Sequence, residues 1–201
     1  MRVLAVFTVA LLLMSGQQYA QSRFSKADGD RFQTKLTRIV TLGNTVQAAS
    51  SRRVAQSTVV SDVEVTSYLR YHAQDQIPAG IVEPILTAHG DGIVSGRAIV
   101  DLDAVRRQKQ RGWLDPAGYL TGKLPLVVRG RLSTANGVGR FALESAELSG
   151  VSVPKTLIQE LLSYYSATPE DPDGINMDDP FELPSGIREI RVAPGTATIV
   201  Q

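Results

Sequence analysis

Cysteine is absent from this chain of 201 residues. That excludes disulfides, thiolate metal sites, cysteine nucleophiles and lipid attachment through an N-terminal cysteine. Histidine occurs only at positions 72 and 89, in different predicted elements, and the H-E-x-x-H arrangement of a zinc hydrolase is missing. Neither charge is in excess, with 21 Lys plus Arg against 20 Asp plus Glu, so the basic stripe of a nucleic-acid binder is lacking. G-x-S-x-G, phosphate-binding and dinucleotide glycine motifs are missing too. No cofactor is implied, and catalysis becomes the weaker class of explanation.

What is present begins with the N-terminus. Arg2 precedes the run Val3 to Met14, apolar but for Thr8, and the small residues Ser15 and Gly16 follow. This is the outline of a secretory signal peptide, with cleavage near 16 or 20. The run is too short to span a bilayer, which takes roughly 20 residues. Residues 1–20 are therefore read as the signal peptide, 21–58 as a helix plus linker, and 59–201 as a single α+β domain. The expected location is periplasmic or extracellular, with the mature chain soluble. A hydrophobic content of 43% suffices for a core.

Phe32, Leu36, Ile39 and Val40 repeat at helical spacing, and Gly43 stands where that helix is predicted to stop. Asn44 to Thr58 reads as a linker or weak helix; its Arg52–Arg53 pair is either solvated or in transient contact with anionic headgroups. Ser61-Asp62-Val63-Glu64 has the form of a capping box, with Val60 and Val65 spaced as a hydrophobic staple. Val65, Tyr68, Leu69 and His72 then line one face of the predicted helix.

Strands are predicted over 81–86, 93–102, from 124 through 132, and over 138–148, the last pair joined by Asn136-Gly137, a strong hairpin signal. Asp101 to Arg111 reads as a short charged helix, and Trp113 to Gly122 as a loop. The fourth strand runs into a helix over 153–165, and a hairpin turning at Pro194-Gly195 closes the chain. Runs of antiparallel strands interrupted by a few amphipathic helices predict an α+β fold: a long, bent antiparallel β-sheet packed around or against amphipathic helices.

Three carboxylate groupings invite chemistry. Asp171, Asp173 and Asp178 surround Gly174, and a calcium ion would draw on such oxygens, but the spacing departs from the EF-hand pattern and Pro, Asp and Gly are ordinary loop formers. Asp101 and Asp103 form D-x-D at a strand end, where a hydrolase would place an acid and a base. The competing reading, that they close the strand and cap the next helix, carries more weight.

The strongest pattern is the 153–165 helix. Leu157, Ile158, Leu161, Leu162 and Tyr165 share one face, and Lys155, Thr156, Gln159, Glu160 and Ser163 the other. In the neighbouring strands Val94, Ala98, Leu126 and Val128 occupy alternating inward positions. These nine residues are the candidates for an apolar groove; a plain packed core gives the same periodicity.

The order of exported N-terminus, capped helix S-D-V-E-V-T-S-Y-L, strands around I-V-S-G-R-A-I-V-D-L-D and L-P-L-V-V-R-G-R-L, amphipathic helix and closing hairpin resembles the small periplasmic members of the tubular lipid-binding (TULIP) superfamily. The likeness covers roughly 60–200 and is one of element order. It implies a bent sheet wrapped around a helix, an apolar groove for a lipid or acyl chain, and no catalytic residues. Arg97, Arg129 and Arg131 would then have to face away from the groove. The expectation is an exported, non-catalytic binding or carrier protein with a lipid ligand and no nucleic-acid partner. An envelope structural or protein-interaction domain with a filled core is the alternative, and a hydrolase using acidic residues is a more remote one.

Overall fold

The computed structural model describes residues 23–46, 55–78, 80–104, 122–169 and 171–201, with backbone only for 45, 46, 164 and 165. The signal peptide, the Arg52–Arg53 pair, most of the 101–111 helix and 113–122 loop, and the side chain of Tyr165 lie outside the described residues.

Two helices open the fold. In α1 (Lys26–Val46), Ser25 caps the first turn through its hydroxyl, which accepts from the Asp28 N–H at 3.2 Å. This helix does not stop at Gly43. That glycine instead admits the backbone of Ser185, whose oxygen would lie 2.2 Å from an added Cβ. Close approach, not helix termination, is its role. Strand β1 (Ser57–Ser61) then occupies the end of the predicted linker.

Ser61 starts α2 (Asp62–Tyr71) with the predicted capping box: its hydroxyl accepts from the Glu64 N–H at 3.1 Å, and the Glu64 carboxylate accepts from the Ser61 N–H at 2.9 Å. Its most buried residues are not the predicted apolar ones. Glu64, Thr66 and Ser67 are buried, while Val65 and Leu69 are half-buried. The cause is crowding on both sides. α1 approaches closely at Gly29, where an added Cβ would lie 2.8 Å from the His72 ring and 3.2 Å from the Ser67 carbonyl, and Thr66 is consumed by the edge of the sheet.

The main sheet runs β2 (Ile81–Gly90), β3 (Ile93–Asp101), β4 (Lys123–Ala135), β5 (Val138–Leu148) and β6 (Val151–Ser152), antiparallel in that order, and β7 (Phe181–Glu182) pairs the start of β5. Asn136 and Gly137, at φ 52° and 83°, make the tight turn that the sequence predicts. The fourth strand does not run straight into the next helix. Ser149 and Gly150, again both at positive φ, fold the chain back as β6 before α3 (Lys155–Ser166) begins.

The closing hairpin, β8 (Glu189–Ala193) and β9 (Thr196–Val200), forms a second sheet with β1 in the order β1-β9-β8. This small sheet docks at the hairpin-turn end of the large one. Thr134 Oγ1 accepts from the Ile190 N–H at 2.7 Å and donates to its carbonyl at 3.1 Å, and the Gly195 N–H reaches the Ala88 carbonyl at 2.9 Å. The core cluster sits at this junction: Ile39 of α1 with Leu183 and Ile187, against which Ile190 and Ile199 pack. Gln201 ties it together, its amide donating to the carbonyls of Ile39 and Ser185 at 2.8 and 2.7 Å.

Edge protection is explicit at β2. Thr66 Oγ1 accepts from the Leu86 N–H at 2.9 Å and donates to its carbonyl at 3.3 Å, imitating a neighbouring strand. Arg70 continues the imitation at the Pro84 and Glu83 carbonyls, at 3.0 and 3.4 Å. A helix thus caps a strand edge that would otherwise offer free backbone groups to another chain.

Candidate functional site

Strand register decides which side chains share a face, because directly opposed residues in an antiparallel pair project to the same side. Followed across the large sheet, the pairings give four rows. Ala88, Val94, Gly130 and Leu143 form one; Leu86, Gly96, Val128 and Ala146 the next; Ala98, Leu126 and Leu148 the third; Ile81, Val100 and Leu124 the last. Every member is apolar or glycine. The predicted Val94, Ala98, Leu126 and Val128 therefore lie together at the centre of one continuous apolar face.

The opposite face is of a different kind. Its rows include Thr87, Ser95, Arg129 and Ser145, then Ile85, Arg97, Val127 and Glu147, with Arg131 beside Ile93. Glu144, at the β4–β5 irregularity, lies between two of these cations, 3.3 Å from Arg129 Nε and 3.7 Å from Arg131 Nη2. Arg97, Arg129 and Arg131 thus all avoid the apolar face.

An apolar sheet face ordinarily disappears into a core. Here only Gly130 and Ala146 of the four rows are buried; the rest are half-buried, and Leu86 is 37% exposed. The tightly buried Ile39, Leu183 and Ile187 belong to the end of the sheet instead. Two phenylalanine rings keep part of the face low. Phe141 lies over Gly130 and Phe181 over Gly139, where an added Cβ would come within 2.3 and 2.5 Å of ring carbon.

Helix α3 packs against β5. Of its predicted groove residues, Ile158, Leu161 and Leu162 are half-buried and Leu157 is 36% exposed, so the apolar side of the helix is not consumed by the fold. Its polar side is. The chain after the helix returns along it: Gln159 donates to the Ile175 carbonyl at 3.0 Å and accepts from the Met177 N–H at 2.9 Å, and Ser166 Oγ accepts from the Ile175 N–H at 2.7 Å. Gly174 fits closely against the Ser163 carbonyl. The sequence pattern gave no sign of this strap, because Gln and Ser on a helix read equally well as solvated.

The acidic loop is part of the same strap. Asp178 pairs with Lys155 Nζ at 2.5 Å, Asp171 turns the chain through its carbonyl, which accepts from the Thr168 and Gly174 N–H groups, and Asn176 donates to Asp179 at 3.2 Å. Among the described residues, no group of three or more His, Asp or Glu is placed to hold a metal ion, Asp171, Asp173 and Asp178 included. Asp101 caps as the competing reading has it, accepting from the Ala104 N–H at 2.9 Å, whereas Asp103 accepts from the Gly122 N–H at 3.2 Å, ahead of β4, and is not a helix cap. The histidines are engaged locally. His72 stacks on Tyr68 with Nε2 2.7 Å from Asp30, off the angle for a hydrogen bond, and His89 Nε2 lies 2.7 Å from Ser95 Oγ.

No family model, curated protein or solved structure matches this chain. The site thus stands on its own geometry. No helix among the described residues is long and apolar enough to cross a membrane.

Another charged cluster lies where α1 crosses α2. The Glu64 carboxylate is held by Lys35 Nζ at 2.8 and 2.7 Å and approached by Arg31 Nε at 3.7 Å. Burial pushes its pKa up, but the hydrogen bonds from Lys35 and Ser61 and the Lys35 charge outweigh it, holding the carboxyl below its ordinary value. This is a structural pair that locks two helices.

Proposed function

We propose that this protein is an exported, non-catalytic carrier that holds a lipid or other acyl-chain molecule against the apolar face of its large sheet, beside α3. The observation that carries the reading is the in-register apolar face itself. Four rows of Val, Leu, Ile, Ala and Gly cross the sheet without a polar interruption and remain half-buried, while the described core is built at the other end. A surface of this kind favours an apolar occupant, each buried methylene contributing roughly 0.8 kcal/mol. The exposed Leu157 extends that surface onto the helix, and the element order resembling TULIP proteins points the same way. The signal-like N-terminus supports an exported location, where lipids must cross water.

The test is organic extraction and native mass spectrometry of protein purified from its own host, followed by titration with a fluorescent acyl probe. Bound lipid and saturable probe binding are expected. Protein that yields no lipid and leaves the probe unbound refutes the carrier.

A second reading, an envelope interaction domain, has its own observation. Between the Gly139–Phe181 and Glu147–Ser152 pairs, the outer edge of β5 has no strand partner among the described residues. Chemical cross-linking in the envelope that places partner peptides at Arg140 to Ser145, with no bound lipid, would favour it.

A further inference from the structure

The cleft between the C-terminal end of α2 and the start of β2 encloses about 410 Å³. That is within the roughly 300–1,000 Å³ of small-molecule sites. Leu69, Ile77, Ile81 and Pro84 give it apolar walls, and Arg70 supplies a cation.

Arg70 is fixed on three sides. Nε and Nη2 donate to the Pro84 and Glu83 carbonyls at 3.0 and 3.4 Å, and the guanidinium carbon lies 4.6 Å from the centroid of the Phe24 ring. Both carbonyls belong to an irregularity in β2 between Val82 and Ile85, where Glu83 takes a φ of 52°. None of these partners is an anion, and no carboxylate among the described residues comes within ion-pair distance of the guanidinium. An arginine held rigidly by neutral groups keeps its remaining donor, Nη1, and its full charge for an incoming acceptor. Glu83 lines the same cleft, but its side chain is exposed, and a hydrated carboxylate is screened far more than the half-buried guanidinium.

Ile81 joins this cleft to the apolar face, since it opposes Val100, which in turn opposes Leu124. We propose that the cleft is the headgroup site of a single-chain fatty acid: the carboxylate pairs with Arg70, and the chain runs past Ile81 along the Val100 and Leu124 row. This rests on the carrier reading and adds to it the class of ligand and its polarity of binding.

Laurate and dodecanol separate the two ideas, since they share a chain and differ in head charge. Calorimetric titration of the whole protein is expected to show laurate binding about tenfold more tightly than dodecanol, the scale of one hydrogen bond to a charged group. Arg70→Gln is expected to abolish that preference while dodecanol binding persists. Because Arg70 also anchors the β2 irregularity, Ile77→Glu serves as the second variant, placing a negative charge at a half-buried position of the cleft with Arg70 intact, and it too is expected to weaken laurate far more than dodecanol. A preference for laurate that survives both substitutions, or no preference in the unaltered protein, overturns the headgroup site and leaves the apolar-face carrier standing. Failure of both ligands to bind the unaltered protein overturns both.

Discussion

Lys35 Nζ lies 2.7 and 2.8 Å from the two carboxylate oxygens of Glu64, 29 residues away, and so joins α1 to the residue that closes the capping box of α2. One carboxylate thereby holds a helix start and a helix–helix contact at once. Glu64 is only 7% exposed, so its charge depends on these partners.

Replacing Lys35 by Met is expected to lower unfolding free energy by about 1–2 kcal/mol, because it leaves a buried carboxylate with fewer donors. Ser61→Ala should cost about 1 kcal/mol through the lost cap. The two act on one carboxylate, so urea melts of the double variant should show the losses to be non-additive.

Acid should act through the same group. The folded pKa of Glu64 lies below its ordinary 4.5, so its contribution to stability is fully present above that pH and is lost as pH falls through the lower, folded value. Urea midpoints measured from about pH 6 to about pH 3 should therefore fall on the acid side, and less steeply in Lys35→Met than in the parent.

Gly43→Ala reverses the usual sign. In an exposed helix interior this change stabilises by up to about 1 kcal/mol. Here the new methyl would meet the Ser185 backbone, which cannot rotate away as a side chain can. A net loss of about 1–3 kcal/mol in thermal or urea unfolding is expected.

The core and the candidate site should separate on mutation. Ile39→Ala, at 2% exposure, is expected to cost about 2–5 kcal/mol and leave acyl-probe affinity little changed. Leu86→Gln and Leu157→Gln, at 37% and 36% exposure, should cost less than about 1 kcal/mol yet weaken the probe severalfold. Parallel melts and titrations decide this, and binding that tracks stability alone would count against the apolar face.

Local patterns with a mechanism of their own were legible beforehand. The Ser61–Glu64 box, the Asn136-Gly137 turn and the β8–β9 hairpin form as predicted, since each depends on residues within a few positions of one another. The alternation of Val94, Ala98, Leu126 and Val128 likewise fixed their common side once the strands paired. Illegible features all need distant partners. The helical period of α2 put Val65, Tyr68, Leu69 and His72 on one face, but proximity of α1 and β2 made Thr66 and Ser67 the innermost residues. Nothing in the helical pattern of Gln159 and Ser163 pointed to residues 174–177 lying along them.

By itself, the sequence determined that strands and amphipathic helices would form, that the chain would lack cysteine chemistry, and that the 153–165 helix would have one apolar side. Periodicity and turn stereochemistry act over a few residues, and composition needs no geometry at all. Only the tertiary structure decided that β1 joins β9 rather than the large sheet, that Lys35 finds Glu64, and that the core gathers at Ile39, Leu183 and Ile187. The same choice left the row from Ile81 to Leu124 half-buried. Burial is a property of which surfaces meet, and an apolar residue carries no record of whether its partner is another side chain or a ligand.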